Sequence, residues 1–209
     1  FQSSRYESWG LEEGIVKSGS FSIDRGVGVR SVCGEKTGFA YSGEISHSAL
    51  MDSARAARAI SQAPAGTHPQ GFQVRAPHKR LYGMADPLIS LSESEKIELL
   101  KHIDTRARAM SPYVRQVMAS IVAAHETILI IDEQGRMTAD IRPLVRMSVS
   151  VIVERNGQSE SSQAGGGGRF ELDYFTQQDR AGAYADEAVR KALINLDACD
   201  APAGSMTVV

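Results

Sequence analysis

From Leu144 to Glu154 this chain alternates almost without fault: Val145, Met147, Val149, Val151 and Val153 on one side, Arg146, Ser148 and Ser150 on the other. A period of two puts the apolar set on one face of a β-strand and the polar set on the opposite face, so one side of a sheet must be buried. Asn156-Gly157 follows, the dipeptide that most favours a type I′ hairpin turn. Upstream, Val114 to Ile131 is again β-rich. It is followed by the turn Asp132-Glu-Gln-Gly135 and by Met137 to Ile141, so an antiparallel meander is expected here.

A second meander is expected at the start. Phe1 to Trp9 alternates, Gly14 to Lys17 is short and apolar, Ser18-Gly19 reads as a turn and Ser20 to Ile23 as extended chain. The stretch Arg25 to Ser42, RGVGVRSVCGEKTGFAYS, then pairs β-branched residues with spaced glycines. Gly26 and Gly28 mark a strand that another backbone can approach, or a bulge. Gly34 to Thr37 reads as a hairpin turn and Gly38 to Tyr41 as the return strand. Four or more strands are expected in the first 42 residues.

Three helices complete the pattern. The first is expected from Glu44 to Ala63, with Ser42 as N-cap, Ile45, Ala49, Ala56 and Ile60 on its apolar face, and Pro64 and Gly66 ending it. Ser92-Glu-Ser-Glu95 is a capping box, and it opens a helix bearing Ile97, Leu100, Ile103 and Ala107 before Ser111-Pro112. The last helix, Ala181 to Ala198, buries Ala185, Val189, Ala192, Leu193 and Leu196. Residues 64–90 form an irregular connection rich in Pro and Gly, with a possible edge strand at Phe72 to Arg75. The fold class is therefore α+β: two mainly antiparallel β meanders packed with about three helices, with sub-parts at 1–63 and 91–199.

With 209 residues and 42% hydrophobic content the chain can bury a true core. A net charge of −2 and a pI near 6.2 give no electrostatic footprint for nucleic acid. No run reaches the roughly 18 apolar residues of a membrane span. Cys33 and Cys199 stand in apolar contexts and read as reduced core thiols of a cytoplasmic protein.

A search for chemistry is mostly negative. His125-Glu126 begins like a metal-binding helix, but Leu129 and Ile130 stand where the second histidine is needed, and the segment reads as strand. His47, His68, His78 and His102 have no cysteine or carboxylate at ligand spacing. Asp132, Glu133 and Asp140 read as solvated acids around a turn. No catalytic residue and no metal ligand is assigned. Gly165 to Gly168 with Arg169 is the remaining feature. Four consecutive glycines carry a high ordering entropy and favour a flexible loop. The alternative is a backbone-lined recognition surface, in which Gly166, Gly167, Gly168 and Arg169 bind substrate, Arg169 supplying the charge.

Four blocks carry a resemblance: RGVGVRSVCGEKTGFAYS, IRPLVRMSVSVIVE from Ile141, GGGGRFE from Gly165, and ADEAVRKALINLDA from Ala185 followed by APAG. In this order they resemble the N-terminal region of the TldD/PmbA family, once called modulators of DNA gyrase. The resemblance spans Phe1 to Val209, weakest between Pro64 and Pro87. It implies a cytoplasmic zinc metallopeptidase that cleaves unfolded peptides, including a peptide leader and an antitoxin, working with a TldE/PmbA-type paralogue or as a homo-oligomer. Family members hold zinc through an HExxxH helix and a later cysteine, both expected beyond Val209. This segment would then be an inactive substrate-binding and assembly domain, with residues 200–209 starting the linker to a catalytic domain. A gyrase-regulating binding module and the N-terminal domain of the non-catalytic paralogue are the alternatives. The GEKTGFAYS and GGGGR blocks look more like the TldD branch.

Overall fold

Asn156 and Gly157 both take positive φ, 54° and 82°, the backbone a type I′ turn requires. They join β6 (Arg136–Arg155) to β7 (Gln158–Gly168). The computed structural model describes residues 1–62, 73–74, 81–199, 203–205 and 207. In chain order the other elements are β1 (Gln2–Glu12), β2 (Ile15–Cys33), β3 (Lys36–Ser42), α1 (His47–Ser61), β4 (Gln73–Val74), α2 (Glu93–Met110), β5 (Val114–Ile131) and α3 (Arg180–Leu196), with short 3-10 turns at Pro87–Ile89, Leu172–Phe175 and Gln177–Asp179.

The molecule is α+β, as expected. The two meanders, β1-β2-β3 and β5-β6-β7, are fused: β1 pairs antiparallel with β5 from Gln2 opposite Ile128 to Glu12 opposite Met118, giving one sheet in the order β3-β2-β1-β5-β6. Both β7 and the parallel two-residue β4 lie along the outer edge of β6. The edge strand expected at Phe72 to Arg75 is thus present at Gln73–Val74; the residues on either side lie outside those described.

Two expectations about strand boundaries are corrected. Ser18-Gly19 is not a turn, so the first 42 residues form three strands and not four or more. β2 runs unbroken for 19 residues beside β1, the Trp9 ring lies over Gly19, and a register slip at Gly10/Leu11 absorbs the irregularity. β6 likewise runs straight through Pro143. The Pro143 carbonyl accepts from Arg169 Nη1 at 3.2 Å, so the ring nitrogen also points away from β5, into the gap between β4 and β7, where no ladder bond is lost.

The first helix differs most. Its N-cap is Ser46, whose Oγ accepts the Ala49 N–H at 3.2 Å; Ser42 instead accepts the Glu44 N–H as the chain leaves β3. It ends at Gln62 in a left-handed conformation (φ 55°), while Pro64 and Gly66 lie outside the described residues. The buried line is Ser53, Ala57 and Ser61, not the expected apolar face, and Ile45 and Ile60 remain 51% and 58% exposed. Gly38 on β3 supplies the reason: a Cβ there would overlap the Ala57 carbonyl oxygen. A helix this close to a strand can present only small side chains to it.

The core lies at the other end. Val145, Met147, Val149, Val151 and Val153 are all buried, as the alternation requires, beneath Leu100, Ile103 and Ala107 of α2 and Ala185, Val189 and Ala192 of α3. Phe175 and Leu172, from a 3-10 turn, fill the space between. The Ser92 capping box is complete, with Glu95 N–H on Ser92 Oγ at 3.3 Å and Ser92 N–H on Glu95 Oε2 at 2.7 Å. Lys96 is buried on α2, its Nζ donating to both Glu7 oxygens (2.9 and 2.8 Å) and to the Leu88 carbonyl at 2.7 Å. This satisfied pair ties α2 to β1. Cys33 is half-buried, whereas Cys199 is exposed and not the core thiol expected. Among the described residues no helix is long and apolar enough to cross a membrane.

Candidate functional site: the glycine strand and the open sheet face

The glycine run is not a loop. Gly165 to Gly168 form the last four residues of β7, paired from Gly165 opposite Ser148 to Gly168 opposite Val145. The ladder to β6 offsets the ordering entropy that makes such a run a loop in isolation. A Cβ at Gly165 would overlap the Met147 carbonyl and one at Gly167 the Val145 carbonyl, so β7 curls this tightly onto β6 only with bare α-carbons. Gly166 and Gly168 face the helices, where the Tyr184 hydroxyl and the Phe170 ring occupy the space a side chain would need.

Gly165 and Gly167 look onto the sheet's other, open face. Reading the register across five strands, Gly165 continues a row of Ser148, Ser120, Gly10 and Ser18, and Gly167 a row of Arg146, Val122, Ser8 and Ser20. These two rows are mostly glycine and serine, with one cation, Arg146, and one exposed apolar side chain, Val122. Further along it, an open groove of about 460 Å³ has Gly26, Gly28 and Ser4 at its base, between Phe39 and Tyr41 on one wall and Ile128 and Ile130 on the other.

Arg169 stands just beyond β7, in contact with Pro143 and Tyr82, and through Tyr82 it joins a cluster with Asp140 and Arg142. Besides its bond to Pro143, its guanidinium lies over the Tyr82 ring, 5.2 Å from the centroid. The Tyr82 hydroxyl donates to Asp140 Oδ2 at 2.8 Å, and Arg142 Nε donates to the same oxygen at 2.7 Å. The bond from Arg142, with that from Tyr82, holds the Asp140 carboxyl below its ordinary range, while the bond to Asp140 raises the Tyr82 phenol. Asp140 is therefore a half-buried paired acid, not the solvated one expected from its turn-side position. No local motif marks Tyr82, Asp140 and Arg142 as neighbours of Arg169. Arg169 has no carboxylate partner among the described residues, which leaves it able to take an anionic or carbonyl ligand.

His125 lies on β5, as read, and its Nδ1 accepts from Arg5 Nη2 at 3.0 Å, since a guanidinium can only donate. His102 contacts Asp179 at 2.8 Å; His68 and His78 lie outside the described residues. Among the described residues no three His, Cys, Asp or Glu side chains gather as a metal-ligand set.

Among the described residues, a seven-stranded curled sheet with two helices on one end and one on the other has clear relatives. Residues 1–61 match the family described as PmbA/TldA metallopeptidase domain 1, and residues 86–196 its central domain. The chain is 50% identical to the "Metalloprotease TldD homolog" of Haemophilus influenzae and 40% identical to that of Buchnera aphidicola subsp. Schizaphis graminum, in each case over the whole of this chain and 44% of the relative. Among solved structures, a candidate modulator of DNA gyrase from Thermotoga maritima superposes with a TM-score of 0.71 at 16% identity, over 97% of this chain and 45% of that one. TldE from Thermococcus kodakarensis does so at 0.61 and 13%, over 92% and 43%. The chain belongs to the PmbA/TldD family, spanning less than half the length of the curated relatives it matches.

Proposed function

We propose that this chain is the non-catalytic N-terminal part of a cytoplasmic, TldD-type zinc metallopeptidase that cleaves unfolded peptides, and that it presents substrate to a metal centre held by residues outside these 209. The observation that carries the reading is the 50% identity, over the full chain, to a relative named as a metalloprotease. A partner of the TldE type fits the same reading, since TldE shares this fold. Gly166, Gly167, Gly168 and Arg169 are its substrate-binding residues. Among the described residues β7 pairs with β6 alone, so its glycines offer a main-chain edge that an extended peptide can join with little demand on sequence, and Arg169, which has no carboxylate partner among the described residues, receives a peptide carbonyl or carboxylate. The Thermotoga neighbour's description as a gyrase modulator rests on 16% identity, which speaks for the fold alone.

The test is Arg169→Ala in the longer protein. Turnover of an unfolded peptide should fall about tenfold, or ~1.4 kcal/mol, with melting unchanged because Arg169 touches no core residue. Unchanged turnover would remove Arg169 from the peptide path. Zinc analysis of the 209-residue chain checks the division of labour: stoichiometric binding would contradict it.

A further inference from the structure

Arg146 is an exposed guanidinium on the sheet's open face, and among the described residues it has no acid, carbonyl or ring as partner. Its neighbours on that face are Leu144 and Ser148 along β6, Val122 across on β5 and Gly167 across on β7. Glu126 on β5 and Asp140 on β6, the acids that share this face toward Arg169, both engage Arg142, at 3.9 and 2.7 Å. Arg169 is likewise without a carboxylate among the described residues. Two cations therefore stand unneutralised beside the glycine run.

The main chain of β7 is open on the side away from β6. The Pro143 carbonyl points toward β7, and hydrogen-bonding direction alternates along an antiparallel ladder. Val145 and Met147 thus bond to Gly168 and Gly166, while Gly165 and Gly167 turn their N–H and C=O outward. Ser161, of the same parity, has its carbonyl taken by Asn195 Nδ2 of α3 at 3.4 Å. From Gln163 to Gly168 no hydrogen bond from another described residue reaches the outer side. Paired residues share a face, so a peptide residue laid against Gly167 projects its side chain onto the open face. Gly167 has no side chain of its own, which leaves a bare lane from that position to Arg146, two strand spacings or about 10 Å away. The next peptide residue but one lies about 7 Å further on, beside Arg169.

We propose that Arg146 and Arg169 select acidic side chains in an extended peptide added to the β7 edge: Arg146 takes a carboxylate opposite Gly167, and Arg169 takes a second one two residues away. This rests on the reading above that β7 receives peptide, and it gives that reading a substrate class, chains with Glu or Asp at alternating positions. Charge complementarity identifies the occupant. A guanidinium holds a carboxylate through two parallel N–H bonds, and Arg169 keeps free donors after its single bond to Pro143. A net charge of −2 and a pI near 6.2 argue against a polyanion such as nucleic acid at the same place.

The test uses the longer protein with a chelator present, so that bound peptide stays whole. Fluorescence anisotropy gives the affinity for three dye-labelled peptides that differ only in carrying Glu, Gln or Lys at two alternating positions. At about 20 mM salt the Glu peptide should bind about tenfold more tightly than the Gln peptide, and at about 0.5 M salt less than about threefold. Arg146→Gln should cut the low-salt ratio to about threefold, and Arg146→Glu should turn the preference toward the Lys peptide. Arg190→Gln, which removes the same charge from α3, should leave the ratio unchanged. Equal binding of the Glu and Gln peptides, a ratio that survives Arg146→Gln, or tighter binding of a single-stranded oligonucleotide than of the Glu peptide would each overturn the proposal. So would a lower melting temperature in Arg146→Gln, which would mean that an acid elsewhere in the longer protein already holds this guanidinium. The two readings fail separately: a preserved ratio without cleavage once metal is restored removes the peptidase reading and keeps this one, whereas cleavage of the Glu and Gln peptides at equal affinity does the reverse.

Discussion

The two ends of the sheet are stabilised in opposite ways. Beneath α2 and α3, the valine face of β6 and its neighbours bury a continuous apolar cluster. Beneath α1, the buried helix residues are Ser53, Ala57 and Ser61, and the contact depends on Gly38 letting two backbones touch. One end is held by side-chain volume removed from water, about 1.5–3 kcal/mol for each large residue. The other is held by proximity, with its larger side chains left outside. A helix docked through alanine and serine carries little hydrophobic driving force of its own, so the two ends should respond differently to equal insults.

The largest effect belongs to the packed end. Phe175 is fully buried, edge-on to Tyr174 with centroids 5.4 Å apart, and Phe175→Ala should cost about 3–5 kcal/mol. Urea denaturation reads this directly, and a loss under 1 kcal/mol would mean that the aromatic cluster can collapse around the gap. Next is Gly38→Val, whose Cβ overlaps the Ala57 carbonyl and must lift α1 from β3. The cost should be about 1–3 kcal/mol and local: amides of His47–Ser61 should exchange faster while those of Arg180–Leu196 keep their protection. Equal acceleration in both helices would break the comparison, because it would make the ends one cooperative unit.

The same contrast explains what could be read in advance. The packed end was legible because its signals are local and periodic: the valine alternation, Asn156-Gly157, the Ser92 box and the Ala185 to Leu196 stripe each report one element's own geometry. The thin end was not. Ile45 and Ile60 out-compete Ser53 and Ser61 on hydrophobicity alone; only the closeness allowed by Gly38, on another element, reverses the choice. The Ser18-Gly19 pair reads locally as a turn, and only β1 running alongside keeps it extended. The candidate site divides the same way. The glycine run was visible as a run, but its strand state depends on pairing with β6, and the link from Arg169 through Tyr82 to Asp140 and Arg142 exists only once the sheet has formed.

The smallest effect sharpens the comparison by showing how little one cap matters where packing is dense. Ser92→Ala removes the Oγ that accepts the Glu95 N–H and that donates to Glu95 Oε2 at 2.6 Å, and should cost about 1 kcal/mol. The helix itself should persist, because Leu99, Leu100 and Ile103 hold it to the sheet. The penalty should also depend on pH. The Ser92 hydroxyl, followed by the Ser92 backbone N–H, holds the Glu95 carboxyl below its ordinary value of 4.5. A carboxyl depressed in the folded state contributes stability above its unfolded pKa and loses it as pH falls through the folded value. The difference between wild type and Ser92→Ala should therefore be full at neutral pH and shrink once the pH drops below 4.5. Paired urea titrations on either side of that value measure it. An unchanged difference in acid would show that Ser92 acts on the backbone donor alone and that the carboxylate contributes nothing to the box.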